Sequence, residues 1–171
     1  GNSIASGGNQ NVVVGDEAGT AITTGDSNVA IGYEAGKAIT TGTVNTFVGY
    51  ASGDATTTSG NNVGVGYASL GTNILSSKNV AIGNNALGTH NLASAGEGQN
   101  VAVGHGAGEA MTTGVRNTLI GGVSGGVMTT GDRNVAVGAT SLDACTTGQY
   151  NVAVGNDALT TLTTGDRNTA V

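Results

Sequence analysis

The sequence predicts an all-β fold, a parallel β-solenoid of the β-roll or β-helix kind built from 17-residue coils. Three observations predict it: a motif that returns at a fixed interval, β-branched residues spaced by two inside that motif, and a glycine closing every complete copy. The motif, Asn-(Val/Thr)-x-(Val/Ile)-Gly, starts at Asn11, Asn28, Asn45, Asn62, Asn79, Asn100, Asn117, Asn134 and Asn151, and a truncated copy starts at Asn168. Eight of the nine intervals are 17 residues and one, from Asn79 to Asn100, is 21. Biased composition does not produce such regularity, so residues 1–171 read as a single repeat array with a four-residue insertion within 79–100.

With the asparagine as position 1, position 2 is Val or Thr and position 4 is Val or Ile, as in Val29 and Ile31 or Thr118 and Ile120. Two β-branched residues spaced by two make one face of a short strand, and this face is expected to point inward. Position 3 is mostly small, with Phe47 and Leu119 as larger exceptions, and is expected to form a smooth opposite face. Position 5 is glycine from Gly15 to Gly155, which suits a coil corner. Position 8 is Ala or Ser, and position 12 is usually apolar (Ile22, Ile39, Met111, Met128, Cys145, Leu162), so these two predict a second inward wall. A Thr-Thr-Gly turn, as in Thr163-Thr164-Gly165, ends most coils. Seventeen residues are too few for two helices with turns, and the glycines oppose helix. Strands stacked about 4.8 Å apart then make a rod on the order of 50 Å long.

Composition narrows the function. With 32 Gly, no Pro, no Trp and 3% aromatic residues, a core of large rings is excluded and a narrow one of small aliphatic residues is implied. A net charge of -6 with five basic residues argues against nucleic acid, whose phosphates demand clustered Lys and Arg. No apolar run reaches the roughly 18 residues of a membrane span, so membrane insertion is not expected. Gly1 and Val171 both fall mid-pattern, which predicts a fragment of a longer chain.

The repeated asparagines are expected to stack as a structural ladder, each side-chain amide bonded to neighbouring coils or to turn backbone. A ligand role is not suggested for a residue present in every coil. Ordering 17 residues per coil outweighs what one coil's few apolar side chains return, so a homo-oligomer is expected, with the position 3 face against another chain.

The segments Asn28-Val29-Ala30-Ile31-Gly32, Asn79-Val80-Ala81-Ile82-Gly83 and Asn134-Val135-Ala136-Val137-Gly138 resemble the head repeats of trimeric autotransporter adhesins. The longer unit from Asn151 to Gly165 is similar to repeats of phage and viral tail-fibre proteins, often found upstream of an endosialidase-type chaperone domain. The resemblance covers nearly the whole chain and implies a homotrimeric fibre with left-handed parallel coils, no catalytic residues, and a place on a virion or at an extracellular cell surface. Its period is longer than that of the adhesin heads. The function it implies is a structural shaft or display segment of a tail fibre or adhesin that supports attachment to a host or surface through a receptor or glycan.

Chemistry-bearing residues are sparse. His90, placed in the insertion, and His105 at position 6 lie about a coil apart with no fixed partner, so no catalytic residue and no enzymatic activity is expected. Cys145 replaces Ile or Met at an inward position and reads as a buried, inert thiol. Asp26, Asp132 and Asp166 do not recur in every coil and the calcium-binding nonapeptide is absent, so no metal or other cofactor is implied. Arg116, Arg133 and Arg167 precede their anchor asparagines, two of them beside Asp132 and Asp166, and are expected to form ion pairs in solvated turns. Tyr33, Tyr50 and Tyr67 share position 6 of three consecutive coils. Such a ladder either binds a sugar ring or protein, with His105 as a further candidate, or covers a corner or packs across a trimer seam, and the structural role is the expected one. The insertion reads as a bulged edge loop in preference to a ligand-binding one.

Two further functions stay open: a self-assembling extracellular filament, and ice binding through threonines. The Thr-Thr pairs at positions 13 and 14 are poor candidates for ice binding, because a planar array needs threonines spaced by two.

Overall fold

The computed structural model describes residues 7–171, which form strands and turns without helix. The strands are β1 (Val12–Val14), β2 (Val29–Ile31), β3 (Thr46–Val48), β4 (Val63–Val65), β5 (Ser76–Ser77), β6 (Val80–Ile82), β7 (Gly96–Glu97), β8 (Val101–Val103), β9 (Thr118–Ile120), β10 (Val135–Val137), β11 (Val152–Val154) and β12 (Thr169–Ala170). Ten of them form one parallel sheet in the order β1-β2-β3-β4-β6-β8-β9-β10-β11-β12, while β5 and β7 pair separately. The register is one repeat per step, Val12 opposite Val29, and it survives the insertion, where Val80 pairs with Val101. The chain is therefore a parallel β-solenoid.

The asparagines build the expected ladder along the interior. The Asn28 Oδ1 accepts both the backbone N–H and the side-chain amide of Asn45, at 3.0 and 3.1 Å, and the Asn28 Nδ2 donates to the Gly42 carbonyl at 2.9 Å. The bond from backbone N–H to the preceding Oδ1 runs from Asn11 to Asn168, while the Asn62 and Asn79 side-chain amides turn in part to Ser59 Oγ and Ser76 Oγ, and every anchor from Asn28 to Asn151 is fully buried. Each buried amide thus finds partners on two sides, which removes the penalty of burying it.

Because side chains in a strand alternate, the inward asparagine at position 1 commits position 3 to the interior and positions 2 and 4 to the exterior. This inverts the expected faces. Ala30, Phe47, Ala81, Ala102, Leu119, Ala136 and Ala153 are fully buried, whereas Val12, Val14, Ile31, Ile82, Ile120 and Val154 are exposed. The inward wall predicted at positions 8 and 12 is present: Ala18, Ala35, Ile22, Ile39, Met111 and Met128 are buried.

Between the two walls a large side chain comes from position 3 or from position 9, and no coil carries one at both. Phe47 sits opposite Gly53, where an added Cβ would lie 2.5 Å from its Cδ1 and Cζ, and Leu119 lies against Gly125 and Gly108 in the same way. Where position 9 is Leu (Leu70, Leu87, Leu142, Leu159), position 3 shrinks to Gly64, Ala81, Ala136 or Ala153. The corner at position 5 needs glycine: Gly32 has φ of +131° and its Cβ would lie 2.5 Å from the Gly49 carbonyl oxygen.

Candidate functional site

The outward faces of the strands form a narrow apolar strip two residues wide. It carries Val12, Val29, Thr46, Val63, Val80, Val101, Thr118, Val135, Val152 and Thr169 in one column and Val or Ile from Val14 to Val154 in the other, with no charged residue in either. Ile31 and Ile82 keep 36% and 39% of their surface exposed, unusual for such residues repeated along a flat sheet. The sequence signal was already there, but alternation alone fits either face, and only the parity of the buried asparagine decides between them.

One margin of this strip is position 6. Tyr33, Tyr50 and Tyr67 stack there with centroids 5.1 and 5.3 Å apart and planes 25° and 11° from parallel. Both faces of Tyr50 are therefore covered by its neighbours, leaving ring edges and hydroxyls to solvent. Next to them Lys37 bridges Glu17 and Glu34, the latter at 2.8 Å. Glu34 first, then Glu17, raises the Tyr33 phenol above its ordinary value. His105 occupies the same margin two coils beyond Tyr67, exposed, with Asn84 between them.

The other margin is position 17. Arg133 and Arg167 lie over opposite sides of Tyr150, each guanidinium carbon 5.3 Å from the ring centroid, and Arg116 Nε donates to Gln99 Oε1 at 3.1 Å. The expected Arg–Asp ion pairs do not form. The carboxylates instead accept backbone N–H groups of the coil below: Asp132 from Val115 at 2.8 Å, Asp166 from Gln149 at 2.7 Å, and Asp26 from Asn9 at 2.7 Å. A backbone donor in a fixed turn is a better-organised partner than a mobile guanidinium, and the aromatic face then attracts the freed arginines.

Inside, the position 12 column turns polar in its middle third. Thr56, Asn73 and His90 are fully buried where other coils carry Ile, Met, Cys or Leu. His90 thus belongs to the repeat itself, and the extra residues follow Asn91, whose N–H still bonds Thr112: most precede β7, where Ser76 pairs with Gly96, and the last falls between β7 and Asn100. Its Nε2 lies 3.0 Å from Ser76 Oγ, its Nδ1 has no partner, and burial lowers its pKa to about 4. Cys145 is buried, and burial raises its thiol pKa, which disfavours the reactive thiolate.

The threonines at position 13 are engaged in the stack. Hydroxyls of Thr23, Thr40, Thr112, Thr129 and Thr146 donate to the position 13 carbonyl of the next coil at 3.0 to 3.3 Å. Among the described residues no three His, Cys, Asp or Glu side chains gather as a metal site, and no helix is long and apolar enough to cross a membrane. No protein-family model, curated protein or solved structure matches the chain.

Proposed function

We propose that the chain is a structural shaft or display segment of an extracellular or virion fibre, such as a tail fibre or surface adhesin, and that it self-associates through its apolar strip. The observation that carries this reading is the uncharged double column of Val, Ile and Thr that the sheet leaves open along its whole length. A face of this kind suits burial against an identical face far better than exposure to water.

The margins favour one arrangement. Lys78, Arg116, Arg133 and Arg167 stand at position 17, whereas Asp16, Glu17, Glu34 and Asp157 stand at positions 6 and 7. When copies pack strip to strip about an axis parallel to the coil stack, the position 17 margin of one copy meets the position 6 margin of the next, which keeps the cationic margins of different copies apart and sets Arg167 at the level of Asp157. An antiparallel two-fold brings like margins together. Three copies, as the resemblance to trimeric fibres implies, satisfy the parallel rule and bury both columns. A rigid rod held this way needs no chemistry of its own, and attachment to a receptor or glycan falls to groups at its margins or beyond the segment.

Sedimentation of the wild type and of Ile82→Asp tests this reading. The wild type is expected to be a trimer and the variant to dissociate, with the coil spectrum retained because residue 82 already faces solvent within one chain. A wild type that remains monomeric at about 100 μM contradicts it. Long polymers in electron micrographs would instead favour the self-assembling filament.

A further inference from the structure

On the outer wall, away from the apolar strip, a trench of about 320 Å³ crosses four coils along positions 7, 10 and 11. Its lining is small: Ala51, Ala68, Gly71 and Gly88, with the threonines of position 11. The fold does not demand those glycines. Neither Gly71 nor Gly88 has a backbone in the left-handed region, and the same position carries Thr20, Lys37, Asp54, Glu109, Asp143 and Thr160 in other coils. A Cβ at Gly71 or Gly88 meets nothing closer than a carbonyl oxygen of its own turn, at 3.1 or 3.2 Å. The trench is a feature of this stretch of sequence, not a by-product of coiling.

A carboxylate stands at each end. Asp54 and Glu109 lie three coil steps apart, on the order of 14 Å. Glu109 is oriented by Asn85, whose Nδ2 donates to its Oε1 at 3.0 Å, and partial burial, ahead of other causes, raises the Asp54 carboxyl above its usual range. No Lys or Arg lines the trench. Lys37, one coil below Asp54, is already held between Glu17 and Glu34. The pattern along the trench is therefore anion, about two coils of small, uncharged and largely apolar surface, anion.

We propose that this trench binds a linear aliphatic polyamine, one terminal ammonium on Asp54 and the other on Glu109, with the methylene chain laid over Gly71 and Gly88. An alkyl chain with a cation at each end is the chemical complement of that lining: each terminal ammonium gains a charge-assisted hydrogen bond to a carboxylate, and the internal ammonium of a triamine faces the open, solvated side of the trench. Both carboxylates stand at position 10, off the apolar strip and its margins, so ammonium binding is read separately from self-association.

Calorimetric titration with spermidine at low ionic strength tests it, alongside 1,3-diaminopropane, which is too short to span the two carboxylates. Spermidine is expected to bind saturably at one site per chain and more tightly than the short diamine. Asp54→Asn and Glu109→Gln should each weaken it about three- to fivefold, the scale of one exposed ion pair. Gly88→Lys, which delivers its own ammonium into the trench, should abolish binding. Thr160→Lys makes the same change in net charge at the same coil position outside the trench, and should leave the affinity unchanged. Equal weakening by Gly88→Lys and Thr160→Lys, or an unaltered affinity in the Asp54→Asn, Glu109→Gln double variant, would mean that the chain attracts polyamines only as a diffuse counterion cloud, and overturns the proposal.

Discussion

Phe47 and Gly53 divide a single volume between them. The ring occupies the space that Leu70, Leu87 or Leu142 fills from the opposite wall in other coils, and in each case the facing residue is correspondingly small. Phe47→Ala should therefore destabilise the chain by about 3 to 4 kcal/mol, the range for a buried Phe reduced to Ala. Adding Gly53→Leu should restore at least half of that, because Leu at this position with Ala opposite reproduces the coil that contains Ala81 and Leu87. Leu70 and Leu87 already adopt the required positive φ, +54° and +49°, so the backbone accepts the change. Urea midpoints of the single and double variants check it. This exchange between positions 3 and 9 is visible in the sequence as paired sizes, yet it has no meaning until the two positions are known to face each other. The asparagine ladder, by contrast, was legible residue by residue, since a polar side chain repeated in every coil must satisfy itself through its own copies.

At the scale of the coil, the polar column of Thr56, Asn73 and His90 marks the segment that departs from the pattern. His90 folds as a neutral, buried imidazole with its pKa lowered to about 4 by burial, below the ordinary value of 6.5. The unfolded chain therefore binds the proton more readily than the folded one. Above pH 6.5 His90 exerts no pH-dependent effect, and from 6.5 down to about 4 it destabilises the fold progressively, by up to about 3 kcal/mol. His90→Met, which copies Met111 in the next coil, should remove this part of the acid sensitivity. The check is the difference in urea midpoint between wild type and variant at pH 7 and pH 5, which cancels the carboxylates common to both. The insertion was legible as extra length, but its place was not: His90 keeps the repeat register through backbone bonds that spacing alone does not reveal. The Arg–Asp pairing expected from adjacency failed for a similar reason, since the turn turns the aspartates toward backbone N–H groups of the coil below.

For the whole molecule, the solenoid itself followed from period, alternation and glycine placement, whereas the choice of outward face did not. A three-residue strand has the same period whichever way it points, and β-branched residues at positions 2 and 4 invite burial in the wrong interior. On the outer face they suit the burial between chains proposed above. Distances between spin labels on identical residues of different copies test this most directly, with Asp16→Cys and Asn156→Cys labelled in separate samples, Cys145 being buried. Parallel packing predicts a short inter-chain distance of similar size at both sites, near the two ends of the stack. No dipolar coupling at either site, or a separation at both that approaches the length of the rod, would contradict the account.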